Sequence, residues 1–160
     1  MEPRINMLKK GGQALNALFG LSKYTAGSKI EKHLSDLICF RVSQVNGCAY
    51  CLDMHAKDLR ASGETEQRLY VLDAWREAPF YSDRERAALA WAEALTKLTD
   101  TLVPKEIFEE ARAQFSETEL IDLTMVVITI NSYNHMNIAF GADVGSYKVG
   151  QWEGQAVHNN

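Results

Sequence analysis

A serine followed three positions later by a glutamate, just ahead of an apolar run, occurs at Ser28/Glu31, Ser82/Glu85 and Ser116/Glu119. In such a capping box each side chain satisfies a backbone N–H of the other, so the pattern marks helix starts. After "SKIE" the apolar residues Ile30, Leu34, Leu37, Ile38, Val42 and Val45 fall on one helical stripe, predicting a helix over about 30–45. Asn46-Gly47 breaks it, and Asn46 is placed to cap a second helix that starts at or just before Cys48 and stops at Gly63. "ETEQRLYVLDAWREA" reads as a helix ended by Pro79. "SDRE" opens "RERAALAWAEALTKL", Pro104 sits in the first turn of "PKEIFEEARAQF", and "SETE" opens a long run to about Phe140. The β-branched residues of "LTMVVITI" also suit a buried strand, but the capping box before them and the helical spacing of polar residues after them favour helix. A helix apolar all round at its middle is buried in the core or between subunits. No hairpin signal occurs, so the expected fold is all-α, with residues 1–160 as one domain.

Charge and hydropathy exclude several classes. The net charge is −4, with no basic run or stripe to grip nucleic acid. No apolar run approaches the ~20 residues of a membrane span. The first twenty residues lack the continuous apolar core of a signal peptide, so a cytoplasmic protein is expected. In a reducing compartment a close cysteine pair is seldom a structural staple; it is more often catalytic or metal-binding.

Such a pair lies in "NGCAYCLDMHA". At about 100° per residue, Cys48, Cys51 and His55 share one helix face within an arc of about 60°. Cys51 and His55 are four apart and can touch; Cys48 and Cys51 are three apart, near a helix start, where two sulfurs can close a small disulfide ring. Unpaired N–H groups at a helix start stabilise an anion, and a histidine can take the thiol proton, so thiolate is favoured. A thiolate that reduces a peroxide becomes a sulfenic acid, which a neighbouring thiol converts to a disulfide. The helix terminus favours Cys48 as the attacking sulfur. The imidazole, which acts directly on its partner, favours Cys51. A zinc site needs about four ligands; here there is one pair and one histidine, with His33, His135 and His158 far away, so no metal and no other cofactor is expected. Cys39 in "LICF" reads as a small buried hydrophobe. Trp75, Trp91 and Tyr81 read as core or interface residues, and the polar cluster Tyr133, Asn134, His135 and Asn137 as a structural network or subunit contact.

The run from "DLICFRVSQVNGCAYCLDMHAKDLRASGE" to "ERAALAWAEALT", with "ELIDLTMVVITINSYNHMNIAF", closely resembles the alkyl hydroperoxidase D-like branch of the carboxymuconolactone decarboxylase family over roughly residues 30–140. The resemblance implies about six helices, association into trimers or hexamers, and reduction of small hydroperoxides with electrons from an external dithiol, lipoyl or protein donor. It implies that Cys51 attacks, Cys48 resolves and His55 relays the proton. It also brings in Asp36, where the family carries a glutamate; periodicity alone leaves Asp36 off the main stripe of its helix. Tyr50 stands where the best-known peroxidase members have a second histidine, and His135 where relatives usually have arginine. Two other functions fit less well. Lactone decarboxylation belongs to a branch without the cysteine pair, and a non-catalytic redox sensor would react once and slowly.

Overall fold

The computed structural model describes residues 4–98 and 102–152. Among them are eight α-helices and one 3-10 turn, and no strand, so the all-α expectation holds with more helices than the six implied. In chain order they are α1 (Met7–Lys10), α2 (Gly12–Ala26), α3 (Lys32–Asn46), α4 (Ala49–Ala61), α5 (Glu66–Tyr70), the 3-10 turn Leu72–Ala74, α6 (Asp83–Thr96), α7 (Lys105–Gln114) and α8 (Glu117–Phe140).

α3 is the central post. It packs against α4, α6 and α8, while α2 lies along α8 and α7 along α6. Leu34, Leu37, Ile38 and Val42 of the expected stripe are buried with Leu89 and Ala92 from α6 and Leu123, Val126 and Val127 from α8. Removing such apolar surface from water at roughly 25 cal/mol per Å² is the main drive for this arrangement. Trp75, Tyr81 and Trp91 join the same core. "LTMVVITI" is helical throughout, inside α8. One side of α8 is buried, and the other presents Ile121, Ile128 and Ile138 outward. No helix among the described residues is long and apolar enough to cross a membrane.

The capping boxes at Ser82/Glu85 and Ser116/Glu119 form with both reciprocal bonds. The one at Ser28/Glu31 does not. α3 starts at Lys32 with Glu31 as its cap residue and no side-chain cap bond. The Lys29 N–H is taken instead by the buried Asp122 of α8 at 3.0 Å, which also accepts from the Tyr24 hydroxyl at 2.7 Å. The Ser28 hydroxyl accepts the Ile30 N–H at 3.4 Å, so a local turn stands before α3 in place of the capping box.

The helix expected over "ETEQRLYVLDAWREA" is short and broken, with α5 giving way to the 3-10 turn. Beyond the 3-10 turn the Arg86 guanidinium donates to the carbonyls of Trp75, Arg76 and Ala78, satisfying oxygens that have no helical partner.

Candidate active site

The site is built around one corner of the chain. Gly47 ends α3 in the left-handed conformation, φ 68°, which a side chain would make unfavourable by roughly 1 kcal/mol or more. The Gly47 N–H donates to Gln44 and the Cys48 N–H to Ser43, closing the end of α3 as a Schellman motif. Cys48 then starts α4, its sulfur accepting the Cys51 N–H at 3.4 Å. Cys48, not Asn46, is therefore the cap of α4. Asn46 is the last residue of α3 and spends its amide elsewhere, donating to Asn131 at 2.8 Å and Asn134 at 2.9 Å on α8. With both ends of the corner bonded, the Cys48 sulfur has little freedom.

Cys48, Cys51 and His55 are all buried, and Leu59 continues their face of α4. The shared face expected from the spacing is present. The two sulfurs are coupled. A hydrogen bond from the Cys51 side chain, opposed by burial and aided by the Cys51 N–H, draws the Cys48 thiol down to about 7. The same bond, with burial and the charge on Cys48, pushes the Cys51 thiol up. Negative charge on the pair is thus favoured on Cys48, the sulfur that the helix terminus also favours.

α8 supplies amides to this pair. The Asn137 side chain donates to the Cys51 sulfur at 3.2 Å. Asn134, fully buried, donates to the Ser43 hydroxyl at 3.1 Å and lowers both thiols. Sequence reasoning assigned Tyr133, Asn134, His135 and Asn137 to a structural network or subunit contact, and Asn134 does make structural bonds, to Asn46 and Ser43. The Asn137 contact with Cys51 it missed. The available signal was an asparagine one turn beyond another on an otherwise apolar helix.

Neither ring nitrogen of His55 has a hydrogen-bond partner among the described residues. Burial lowers its pKa to about 4, against a smaller upward pull from Asp58. His55 is therefore neutral at pH 7, able to accept at one nitrogen and donate at the other. No hydrogen bond joins it to Cys51 or to Asp36. Asp36 instead pairs with Lys32 at 2.7 Å on the outer side of α3. Tyr50 is half-buried, and its hydroxyl accepts from the Trp152 indole at 3.1 Å. That contact belongs to a strap, residues 142–152, which returns along α4. The Tyr147 hydroxyl donates to Asp58, and Lys57 donates to the carbonyls of Gly145 and Tyr147.

The remaining candidates lie elsewhere. Cys39 is half-buried, and burial pushes its thiol well up, as suits an inert residue. His33 contacts Glu64 at 3.3 Å, His135 is exposed, and His158 lies outside the described residues. Among the described residues no three His, Cys, Asp or Glu side chains converge as metal ligands would. The Tyr133 hydroxyl bonds Ser22 of α2 at 2.8 Å, a structural contact.

Comparison with known proteins follows this geometry. The model of the carboxymuconolactone decarboxylase family matches residues 12–94. Uncharacterized protein YdfG of Bacillus subtilis (strain 168) is 40% identical over 141 residues, 88% of this chain and 96% of that protein. A solved structure from Agrobacterium tumefaciens, a protein of unknown function suggested to be the antioxidant defence protein AhpD, superposes with a TM-score of 0.87 at 37% identity. It covers 91% of this chain and all of that one (100%). The debrominase Bmp8, as a cysteine-to-alanine variant in complex with 2,3,4-tribromopyrrole, has a TM-score of 0.76 at 26% identity over 88% of this chain and 74% of its own.

Proposed function

The chain belongs to the carboxymuconolactone decarboxylase family, in its alkyl hydroperoxidase D-like branch, and we propose that it is a thiol-dependent peroxidase working through Cys48 and Cys51. The observation that carries this reading is the paired sulfurs: Cys48 and Cys51 are buried one turn apart at the start of α4, with the Cys51 N–H on the Cys48 sulfur and the Asn137 amide on the Cys51 sulfur.

In the proposed cycle Cys48 holds its proton as Cys51 attacks. The Cys51 thiolate takes the terminal oxygen of a hydroperoxide, the O–O bond breaks, and the alkoxide leaves. His55 relays a proton from water to the alkoxide, taking one up at one ring nitrogen as it gives one from the other, so an alcohol forms and the ring ends neutral. A neutral imidazole suits this step, because it moves a proton without storing charge in a buried site. The sulfur of Cys48 then displaces hydroxide from the Cys51 sulfenic acid. The Cys48 proton accompanies the hydroxide as water, and a disulfide forms. An external dithiol, lipoyl or protein donor returns two electrons and two protons. Asp36 would assist by orienting His55 once released from Lys32. The outward Ile121, Ile128 and Ile138 of α8 support association of copies as a trimer or hexamer.

The test is steady-state consumption of several hydroperoxides with a dithiol donor, followed by mass spectrometry of the protein. A peroxidase turns over many times and cycles through a Cys48–Cys51 disulfide. A single slow oxidation without turnover would leave only redox sensing, and no reaction with peroxide would sink both. The likeness to a debrominase favours a second substrate class for the same dithiol. A carbon–bromine bond would be reduced to carbon–hydrogen with release of bromide as the disulfide forms. Tribromopyrrole therefore belongs in the assay, with bromide release as the readout.

A further inference from the structure

We propose that Asn137 is the residue that allows Cys51 to carry negative charge: its amide donates to the Cys51 sulfur at 3.2 Å and so sets how the two thiols divide their proton. This deepens the dithiol reading above and rests on it.

The argument starts from an asymmetry in donors. Cys48 is the cap of α4, and its sulfur receives a backbone N–H fixed in place by the helix, that of Cys51. Cys51 lies one turn inside, where backbone N–H groups bond backbone carbonyls rather than side chains. Its own N–H already serves Cys48. With helix donors alone the charge would stay on Cys48, and the attacking role would fall there. Cys51 must find its donor on another element, and α8 provides it.

α8 carries three asparagines facing the α3–α4 corner, at positions 131, 134 and 137. The first two are tied into protein on both sides. Asn131 accepts from Asn46 and donates to Thr96 and to the Val127 carbonyl; Asn134 accepts from Asn46 and donates to Ser43. These bonds fix the register of α8 against α3 and bring the next turn to the sulfur pair. There the donor meets a reactive atom instead of a structural one. An N–H bond to a thiolate is roughly twice as strong as one to a thiol, so the Asn137 amide favours the charged form of Cys51. Because the two thiols are coupled, what favours charge on Cys51 favours the proton on Cys48. The other titratable groups at the pair are Tyr50 and His55 on α4, and the charges of Asp58 on α4 and Lys32 on α3 act on His55. α8 adds no charged group here, since its His135 is exposed.

The experiment isolates each thiol and needs no peroxide, so it can fail while the peroxidase reading stands, and the reverse. In a Cys48→Ser background, Cys51 is titrated by its thiolate ultraviolet absorbance, with and without Asn137→Leu or Asn137→Asp. The Leu variant is expected to raise the Cys51 midpoint by about one pH unit, roughly tenfold less thiolate at a given pH below it. The Asp variant, nearly the same size, replaces the donor with a like charge and is expected to raise it further. In a Cys51→Ser background, Asn137→Leu should leave the Cys48 midpoint in place. An unmoved Cys51 midpoint in the Asp variant, or an equal shift of Cys48, overturns the proposal. If the Leu variant does not fold by circular dichroism, the Asp variant decides alone.

Discussion

Two buried polar clusters flank α3, and they are finished to different degrees. On one side Glu93 accepts from Arg41 at 2.7 Å, Trp75 at 2.9 Å and Arg76 at 2.7 Å. Burial would raise its carboxyl, but the Trp75, Arg76 and Arg41 bonds overcome that and hold it below the ordinary range. On the other side the Cys48 thiol is drawn down and the Cys51 thiol pushed up, and neither ring nitrogen of His55 has a partner among the described residues. An unsatisfied buried polar group costs about 1–3 kcal/mol, so a fold optimised for stability alone would not retain one. The satisfied cluster ties elements together. The unsatisfied one leaves room for protons to move.

The contrast is broken most directly at the sulfurs. Cys51→Ser is expected to abolish peroxide consumption, while Cys48→Ser traps a sulfenic acid that dimedone labels. Parental turnover in the Cys51 variant would remove it from the attacking role. Next comes the other cluster. Glu93→Ala leaves Arg41 buried without its carboxylate, and urea unfolding should register a loss of about 3–5 kcal/mol. A loss below about 1 kcal/mol would mean that Glu93 is not a structural tie.

His55→Leu separates stability from function. It should cost most of the peroxidase activity while leaving stability unchanged or raised by about 1 kcal/mol, since two unpartnered polar atoms disappear. It should also change the acid response. The His55 pKa falls from 6.5 unfolded to about 4 folded, so the unfolded chain binds the extra proton between those values. Stability from neutral His55 is complete above pH 6.5 and is lost as the pH drops toward 4. The parent should therefore weaken over pH 6.5–4.5, above the carboxylate range, and His55→Leu should not. Equal pH slopes for unfolding would contradict the burial of a neutral imidazole. The smallest effect is at Asp36. Its pair with Lys32, whose side chain is 73% exposed, is worth about 0.3–0.5 kcal/mol at most. Asp36→Asn should thus barely alter unfolding yet slow thiolate formation, and an unchanged thiol titration would take Asp36 out of the mechanism.

What could be read in the sequence was what short spacing controls. The boxes at Ser82 and Ser116 close within three residues, and Cys51 and His55 share a face because α4 is regular. The stripe of α3 was legible for the same reason. The failures fell where distant side chains hold the backbone. Asp122 of α8 takes the Lys29 N–H just before α3, and Arg86 of α6 takes the carbonyls of Trp75 and Arg76 beyond the 3-10 turn. α1 is a single turn capped by Asn6, and α2 starts with no side-chain cap, so neither has a capping box to mark it. Asn137 reaches Cys51 across a separation of 86 residues, a contact that no local spacing encodes.

Cys48 closes one helix with its N–H and opens the next with its sulfur, the atom that would enter the disulfide. Oxidation must therefore weaken the Cys51 amide's grip on that sulfur, because a disulfide sulfur attracts a backbone hydrogen less than a thiolate does. Deuterium uptake at that amide should quicken in the oxidised protein and slow again on reduction, so that one hydrogen in the main chain keeps a record of the electron balance.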